Sequence, residues 1–266
     1  MLGSASAWWA GAFSPLLSGL ALLVAVSVQV GVNYANDYSD GIRGTDDFRV
    51  GPSRLTGSGA VPAKKVLWAA LASFGVTALG GLAIVVVSGQ WWLLIVGAIA
   101  IAAAWYYTGG KAPYGYRGLG EIVVFVFFGP VAVIGTAFIQ VGSVPWETWL
   151  TGSAAGLFSS AVLLVNNLRD IDQDALAGKK TLAVMLGRTA VKVLLTLLLL
   201  GPYVILGFLS SLFLLAPYVF FTLLVTIPII VIAWSAKTPR ELILALQLMT
   251  LTALLYALGL SLAIAF

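Results

Sequence analysis

Seven aspartates occur in the chain, and they fall in only two places. Asp37, Asp40, Asp46 and Asp47 lie in NYANDYSDGIRGTDDFRVGPSRL (33–55), and Asp170, Asp172 and Asp174 lie in NNLRDIDQDALAGKKTL (166–182). On a helix, Asn36 and Asp40 stand four residues apart and share a face, with Asn33 and Asp37 on the neighbouring stripe. Asp170 and Asp174 have the same spacing, and Asp172 points elsewhere. Like charges so placed repel, and more strongly beside a membrane, where desolvation raises their cost. A cation must offset them. Carboxylates and amides offer oxygen ligands, which suit a hard ion such as Mg²⁺. Basic residues are interleaved with these acids: Arg43, Arg49, Arg54, Lys179 and Lys180. A site for a cation alone has no use for them, whereas a polyanion bridged by Mg²⁺ uses both signs. Mg²⁺ usually binds through one or two carboxylates plus substrate phosphates. The pattern therefore predicts a diphosphate at a membrane face, with the rest of the molecule in apolar surroundings, as in a lipid diphosphate.

The elements that must hold these residues are apolar helices. Of 266 residues, 61% are hydrophobic and 9% charged, against about 45–50% and 25% in soluble domains. So few charges cannot solvate a globule of this size, and the mean hydropathy is +1.04. There is no Cys and no His, which removes disulfides, thiol nucleophiles and the commonest base and metal ligand. Apolar runs of bilayer-crossing length are expected near 14–34, 66–88, 91–108, 119–141, 148–167, 190–209, 213–235 and 242–265. None alternates as a barrel strand would. The expected fold is all-α, a polytopic transmembrane bundle of eight spans forming a single domain over 1–266. Residues 1–10 are too short to span and read as the remnant of an incomplete first helix.

All 14 basic residues fall in alternate connections, 35–65, 109–118, 168–192 and 236–241. The positive-inside rule puts those connections, and both acidic motifs with them, in the cytoplasm. The motifs would then face one another at one end of the bundle, in the cell membrane. Plainer readings exist for several features. Polar loops at a membrane edge can be merely solvated, and Trp91, Trp92, Trp105, Trp146 and Trp149 near span ends suit an interfacial belt. Asn166 and Asn167, ending an apolar span, need polar partners.

Asn36-Asp37-x-x-Asp40 followed by Asp46, and Asp170-x-x-x-Asp174 after a later span, resemble the two Asp-rich motifs of the UbiA-type intramembrane prenyltransferase superfamily. Three stretches, 36–55, 113–136 and 166–187, are similar to the branch that prenylates 1,4-dihydroxy-2-naphthoate in menaquinone biosynthesis. The superfamily pattern places a third Asp where this chain has Gly44, and Asp46 is the nearest substitute. The family usually has nine helices, so the resemblance implies a first helix lost or shortened here.

The resemblance implies transfer of a polyprenyl group from an allylic polyprenyl diphosphate to 1,4-dihydroxy-2-naphthoate, with loss of CO₂, giving demethylmenaquinone. Mg²⁺ would be held by Asn36, Asp40, Asp170 and Asp174, with Asp37 and Asp46 in support. Lys111, Arg43, Arg54, Lys179 and Lys180 would neutralise the leaving diphosphate. Tyr107, Tyr114 and Tyr116 would offer π faces to the allylic cation, and Arg117 or Arg169 would orient the acceptor carboxylate. Another acceptor such as 4-hydroxybenzoate is the alternative. A CDP-alcohol phosphotransferase fits less well, since its acids lie in one run. An ion-coupled transporter would place its acids near the bilayer midplane.

Overall fold

The computed structural model describes residues 1–45 and 54–266. Asp46, Asp47 and Arg49 of the first motif lie outside the described residues. In chain order the helices are α1 (Leu2–Trp9), α2 (Pro15–Arg43), α3 (Ala63–Ser88), α4 (Leu93–Tyr106), α5 (Gly120–Val126), α6 (Ala132–Val141), α7 (Glu147–Arg169), α8 (Ile171–Leu176), α9 (Leu182–Leu209), α10 (Leu223–Ser235) and α11 (Glu241–Ala265). A 3₁₀ turn at Tyr114–Arg117 precedes α5, and another at Ala216–Thr222 leads into α10. There is no strand among the described residues. The fold is an all-α membrane bundle.

Among the described residues, seven helical stretches are long and apolar enough to cross a membrane, two of them composite: Gly120–Val141 (α5 to α6) and Ala216–Ser235 (the 3₁₀ turn with α10). The expected span near 91–108 is the exception: it is α4, an apolar helix of 14 residues, which at a rise of about 1.5 Å per residue covers about 21 Å. That is shorter than a bilayer core of about 30 Å. Large apolar side chains such as Leu22, Leu79, Ile95 and Val204 are exposed on the helix exteriors, which suits lipid as the surrounding solvent. Trp91, Trp92, Trp146 and Trp149 are exposed at helix starts, as an interfacial belt requires.

The chain divides into two compact units. One comprises residues 15–120 and 172–181, the other 1–14, 121–171 and 182–266. In the first, α2 packs along α3, with α4 beside both. Ser27 Oγ and Thr77 Oγ1 lie 2.8 Å apart, a buried hydrogen bond between α2 and α3. Such polar links, with small residues that let backbones approach, replace the missing hydrophobic drive between helices in lipid. In the second unit α7 is the central helix, packing on α6, α9, α11 and α1. Its buried face is built from small residues, among them Thr151, Gly152, Ala154, Gly156, Ser160 and Ala161. Between α5 and α6 a π-helical segment at Phe127–Val131 accommodates Pro130, which has no N–H to donate within a helix.

The length of α2 sets the height of the first acidic motif. Its 29 residues exceed the roughly 20 needed to cross the hydrocarbon, so the excess lifts the Asn36–Arg43 motif out of the apolar layer while keeping it helical. A double-mutant cycle on Ser27→Ala and Thr77→Val, read by unfolding in mixed micelles, is expected to show a coupling of about 0.6 kcal/mol. A coupling of zero would mean that the hydroxyl pair does not link α2 to α3.

Candidate functional site

The first motif stays helical to Arg43, so Asn36 and Asp40 do share a face. Gly44, at φ +70°, ends the helix; its N–H reaches Gly41 O at 3.2 Å, and the Thr45 N–H reaches Asp40 O at 3.1 Å. Only glycine adopts that backbone readily, which gives a physical reason for Gly44 where the superfamily pattern has Asp.

Asp40 is buried and sits at the centre of the first unit's polar end. The Tyr116 hydroxyl donates to Asp40 Oδ1, and Lys179 Nζ lies 3.1 Å from Asp40 Oδ2. The same ammonium is 3.9 Å from Asp174 Oδ1 and 4.9 Å from the centre of the Tyr116 ring. Asp40 of the first motif and Asp174 of the second thus share one cationic centre. Burial pulls the Lys179 ammonium down, but the Asp40 carboxylate first, with Asp174 also contributing, holds it above the usual lysine range. Burial first, and then the Asp40 charge, push the Tyr116 phenol up. At neutral pH the centre is therefore a charged ammonium with an un-ionised phenol.

Asp37 has a different use. Its Oδ2 accepts the Leu55 N–H and its Oδ1 the Thr56 N–H, both at 2.8 Å. The buried carboxylate pins the loop that carries Arg54, and both of its oxygens are spent on backbone. Asn36 Oδ1 accepts the Thr108 hydroxyl at 2.8 Å. Arg43 donates to the carbonyls of Thr108 and, at 2.5 Å, of Gly110, and its guanidinium lies 5.6 Å from the Tyr116 ring centre. It clamps the turn leading to Lys111, which is exposed, as are Arg117 and Lys180. Tyr107 and Tyr114 meet edge to face at 5.6 Å. Tyr114 donates to Ala103 O at 2.8 Å, and burial pushes its phenol up to about 12.

The second motif does not continue as one helix. α7 ends at Arg169, Asp170 caps it in a non-helical conformation, and α8 starts afresh at Ile171. Asp170 and Asp174 consequently do not share a helical face; Asp170 belongs to the second unit and Asp174 to the first. Within the second unit the buried Arg169 grips its neighbour, Nε and Nη2 each lying 2.7 Å from an Asp170 oxygen. Glu121 was passed over by sequence reasoning. It is buried, Asn167 Nδ2 donates to its Oε1 at 2.8 Å, and its Oε2 has no hydrogen-bond partner among the described residues. A lone acid opening an apolar span was the available signal.

This donor set fits a divalent cation of the Mg²⁺ type. Asp40 and Asp174 already converge on one positive charge, and Asn36 adds a neutral oxygen nearby on the same helix face. Among the described residues no group of three acidic side chains gathers to hold a metal alone. An ion bound here would take its remaining ligands from phosphate and water, the usual Mg²⁺ habit.

The family model described as the UbiA prenyltransferase family matches residues 1–245. The chain belongs to that family. It is 54% identical over 71% of its length to a Mycobacterium tuberculosis protein named 1,4-dihydroxy-2-naphthoate octaprenyltransferase, covering 62% of it. It is 40% identical over 78% of its length to the Escherichia coli protein of the same name, covering 69% of that one. The chain spans somewhat over half the length of the curated Mycobacterium relatives it matches. Among solved structures, the apo UbiA homolog of Aeropyrum pernix K1 superposes with a TM-score of 0.73 at 18% identity, over 97% of this chain and 96% of the other. A UbiA homolog from Archaeoglobus fulgidus bound to GPP and Mg²⁺ gives 0.68 at 16% identity, over 99% and 94%. At such identities the likeness extends to the UbiA fold.

Replacing Asp37 with Ala strands two backbone N–H groups and frees the Arg54 loop. Limited proteolysis at Arg54 is expected to accelerate, with a stability loss on the order of 2 kcal/mol. Asp37→Asn, which keeps one acceptor oxygen, is expected to fall between. Unchanged cleavage in both would mean that Asp37 does not hold the loop.

Proposed function

We propose that this UbiA-family chain transfers a polyprenyl group from a polyprenyl diphosphate to 1,4-dihydroxy-2-naphthoate, releasing diphosphate and CO₂. The observation that carries the reading is the convergence of Asp40 and Asp174 on one cationic centre at the polar end of an apolar bundle. Its support is the 54% identity to a protein named for this reaction. A Mg²⁺ ion held by Asp40 and Asp174, with Asn36 beside them, would supply charge neutralisation for the leaving diphosphate. Asp46 and Asp170 remain further candidates, Asp170 in the orientation that Arg169 imposes.

The residues of the chain have separable tasks in this scheme. Lys179, Lys180, Lys111 and Arg54 bring positive charge to the diphosphate as the allylic C–O bond breaks and its electron pair departs with the leaving group. Tyr116, Tyr107 and Tyr114 present aromatic rings beside the same polar end, where π faces stabilise a carbocation. Arg43, bound to two carbonyls, shapes the turn rather than gripping substrate. Arg117, exposed, is the guanidinium left to orient the acceptor carboxylate, because Arg169 is engaged in a bidentate pair with Asp170. The ring carbon bearing that carboxylate forms the new C–C bond. Loss of CO₂ returns an electron pair to the ring, so the reaction is redox-neutral and the demethylmenaquinone skeleton is released as its hydroquinone. The apolar helices keep the prenyl chain in lipid and water away from the cation. The positive-inside rule, applied to the basic connections, supports a site on the cytoplasmic side of the cell membrane.

Membranes expressing the chain, supplied with octaprenyl diphosphate, 1,4-dihydroxy-2-naphthoate and Mg²⁺, are expected to form the prenylated hydroquinone, detected by mass. EDTA is expected to stop the reaction, and Asp40→Ala or Asp174→Ala to slow it by more than about 100-fold while the protein remains inserted. Product with 4-hydroxybenzoate in place of the naphthoate would refute the acceptor. Wild-type rates in both variants would refute the site.

A further inference from the structure

Lys179 is built into the site more firmly than a surface lysine available to any anion. Gly178, at φ +72°, closes a turn after α8, in which the Lys179 N–H donates to Asp174 O at 2.8 Å. The next residue ties the turn to the 3₁₀ segment, the Lys180 N–H donating to Tyr116 O at 3.1 Å. The base of the side chain is therefore fixed, and its buried ammonium lands between Asp40 and Asp174 and over the Tyr116 ring. Lysine carries a point charge on a flexible four-carbon stem with three rotatable donors, unlike the planar fork of arginine. It can hold the two carboxylates and also leave them without moving the backbone.

The oxygens it touches are those best placed among the described residues to hold a divalent cation. An ammonium and a divalent cation cannot both contact one pair of carboxylates without strong like-charge repulsion. We propose that Lys179 is a resident counter-charge that competes with Mg²⁺ for Asp40 and Asp174. It yields them when a metal diphosphate arrives, and its ammonium then moves to the diphosphate oxygens. This rests on the metal-diphosphate reading of the site and adds a coupling to it. Metal alone must displace an ammonium that has nowhere better to go, so it binds weakly. Metal with diphosphate binds well, because the displaced ammonium gains a new anionic partner. Metal and diphosphate therefore help each other to bind, through one side chain. A lysine that only grips diphosphate would leave the affinity for metal alone unchanged.

The test is Mn²⁺ binding to the purified full chain in detergent, read from the EPR signal of free Mn²⁺ with and without inorganic pyrophosphate, so no turnover is involved. In the wild-type protein, pyrophosphate is expected to tighten Mn²⁺ binding. In Lys179→Met, Mn²⁺ alone is expected to bind about tenfold more tightly than in wild type, the factor for an ammonium that holds the carboxylates about nine-tenths of the time. The help from pyrophosphate should then largely disappear. Lys179→Gln keeps a donor for Asp40 without the charge and should behave alike, which guards against misfolding of the Met variant. Lys179→Arg should retain the competition. Lys65→Met, removing an exposed charge at the start of α3, controls for net charge. Folded Lys179→Met and Lys179→Gln proteins that bind Mn²⁺ no more tightly than wild type would overturn the proposal alone. Failure of every protein to bind Mn²⁺, even with pyrophosphate, would overturn the metal reading with it.

Discussion

The buried carboxylate of Asp40 is the constraint around which the polar end of this protein is organised. An ionised group removed from water is tolerated only when it is paired and hydrogen-bonded. Here the partners come from two distant parts of the chain, the Tyr116 hydroxyl and the Lys179 ammonium. Each requires its own supporting structure. Tyr116 is placed by the 3₁₀ turn after α4, which Arg43 and the Lys180 N–H tie down on either side. Lys179 is placed by the glycine-ended turn after α8, which also delivers Asp174. Neutralising one side chain at the end of α2 thus specifies where two later segments must fold.

The helices beneath serve a different solvent. Their exteriors are apolar and exposed, and their interiors pair small residues with hydroxyl hydrogen bonds, as between Ser27 and Thr77. Charge is concentrated at the connections, where polar groups can meet water while the apolar helix exteriors face hydrocarbon. The extra length of α2 brings these regimes together, because one continuous helix both crosses the apolar layer and presents Asn36 and Asp40 above it.

Much of this arrangement was legible in the sequence. Apolar runs located each long helix, since a membrane helix must satisfy its backbone within one segment, but α2 runs on to Arg43 and α9 starts at Leu182, both well beyond the expected runs 14–34 and 190–209. The four-residue spacing of Asn36 and Asp40 gave their shared face, because nothing breaks α2 before Gly44. The same spacing misled for Asp170 and Asp174. The Arg169–Asp170 pair sits at a helix end, and spacing says nothing about where a helix stops. Composition also could not separate ligands from supports. Asp37 reads like Asp40 in the sequence, but its two oxygens hold a loop eighteen residues away. Lys179 and Lys180 are adjacent in sequence, yet one is buried between carboxylates and the other is exposed. Such distinctions depend on which backbone groups come near in three dimensions, and no local pattern encodes them.

The central claim is that Asp40 and Asp174 together hold a divalent cation that also touches a diphosphate. Pulsed EPR on Mn²⁺ bound to the purified protein with a non-hydrolysable prenyl thiodiphosphate tests this most directly. Phosphorus-31 coupling to the protein-bound metal is expected, lost in Asp40→Ala and in Asp174→Ala. Protein-bound Mn²⁺ without phosphorus coupling, or coupling that survives both substitutions, would contradict it.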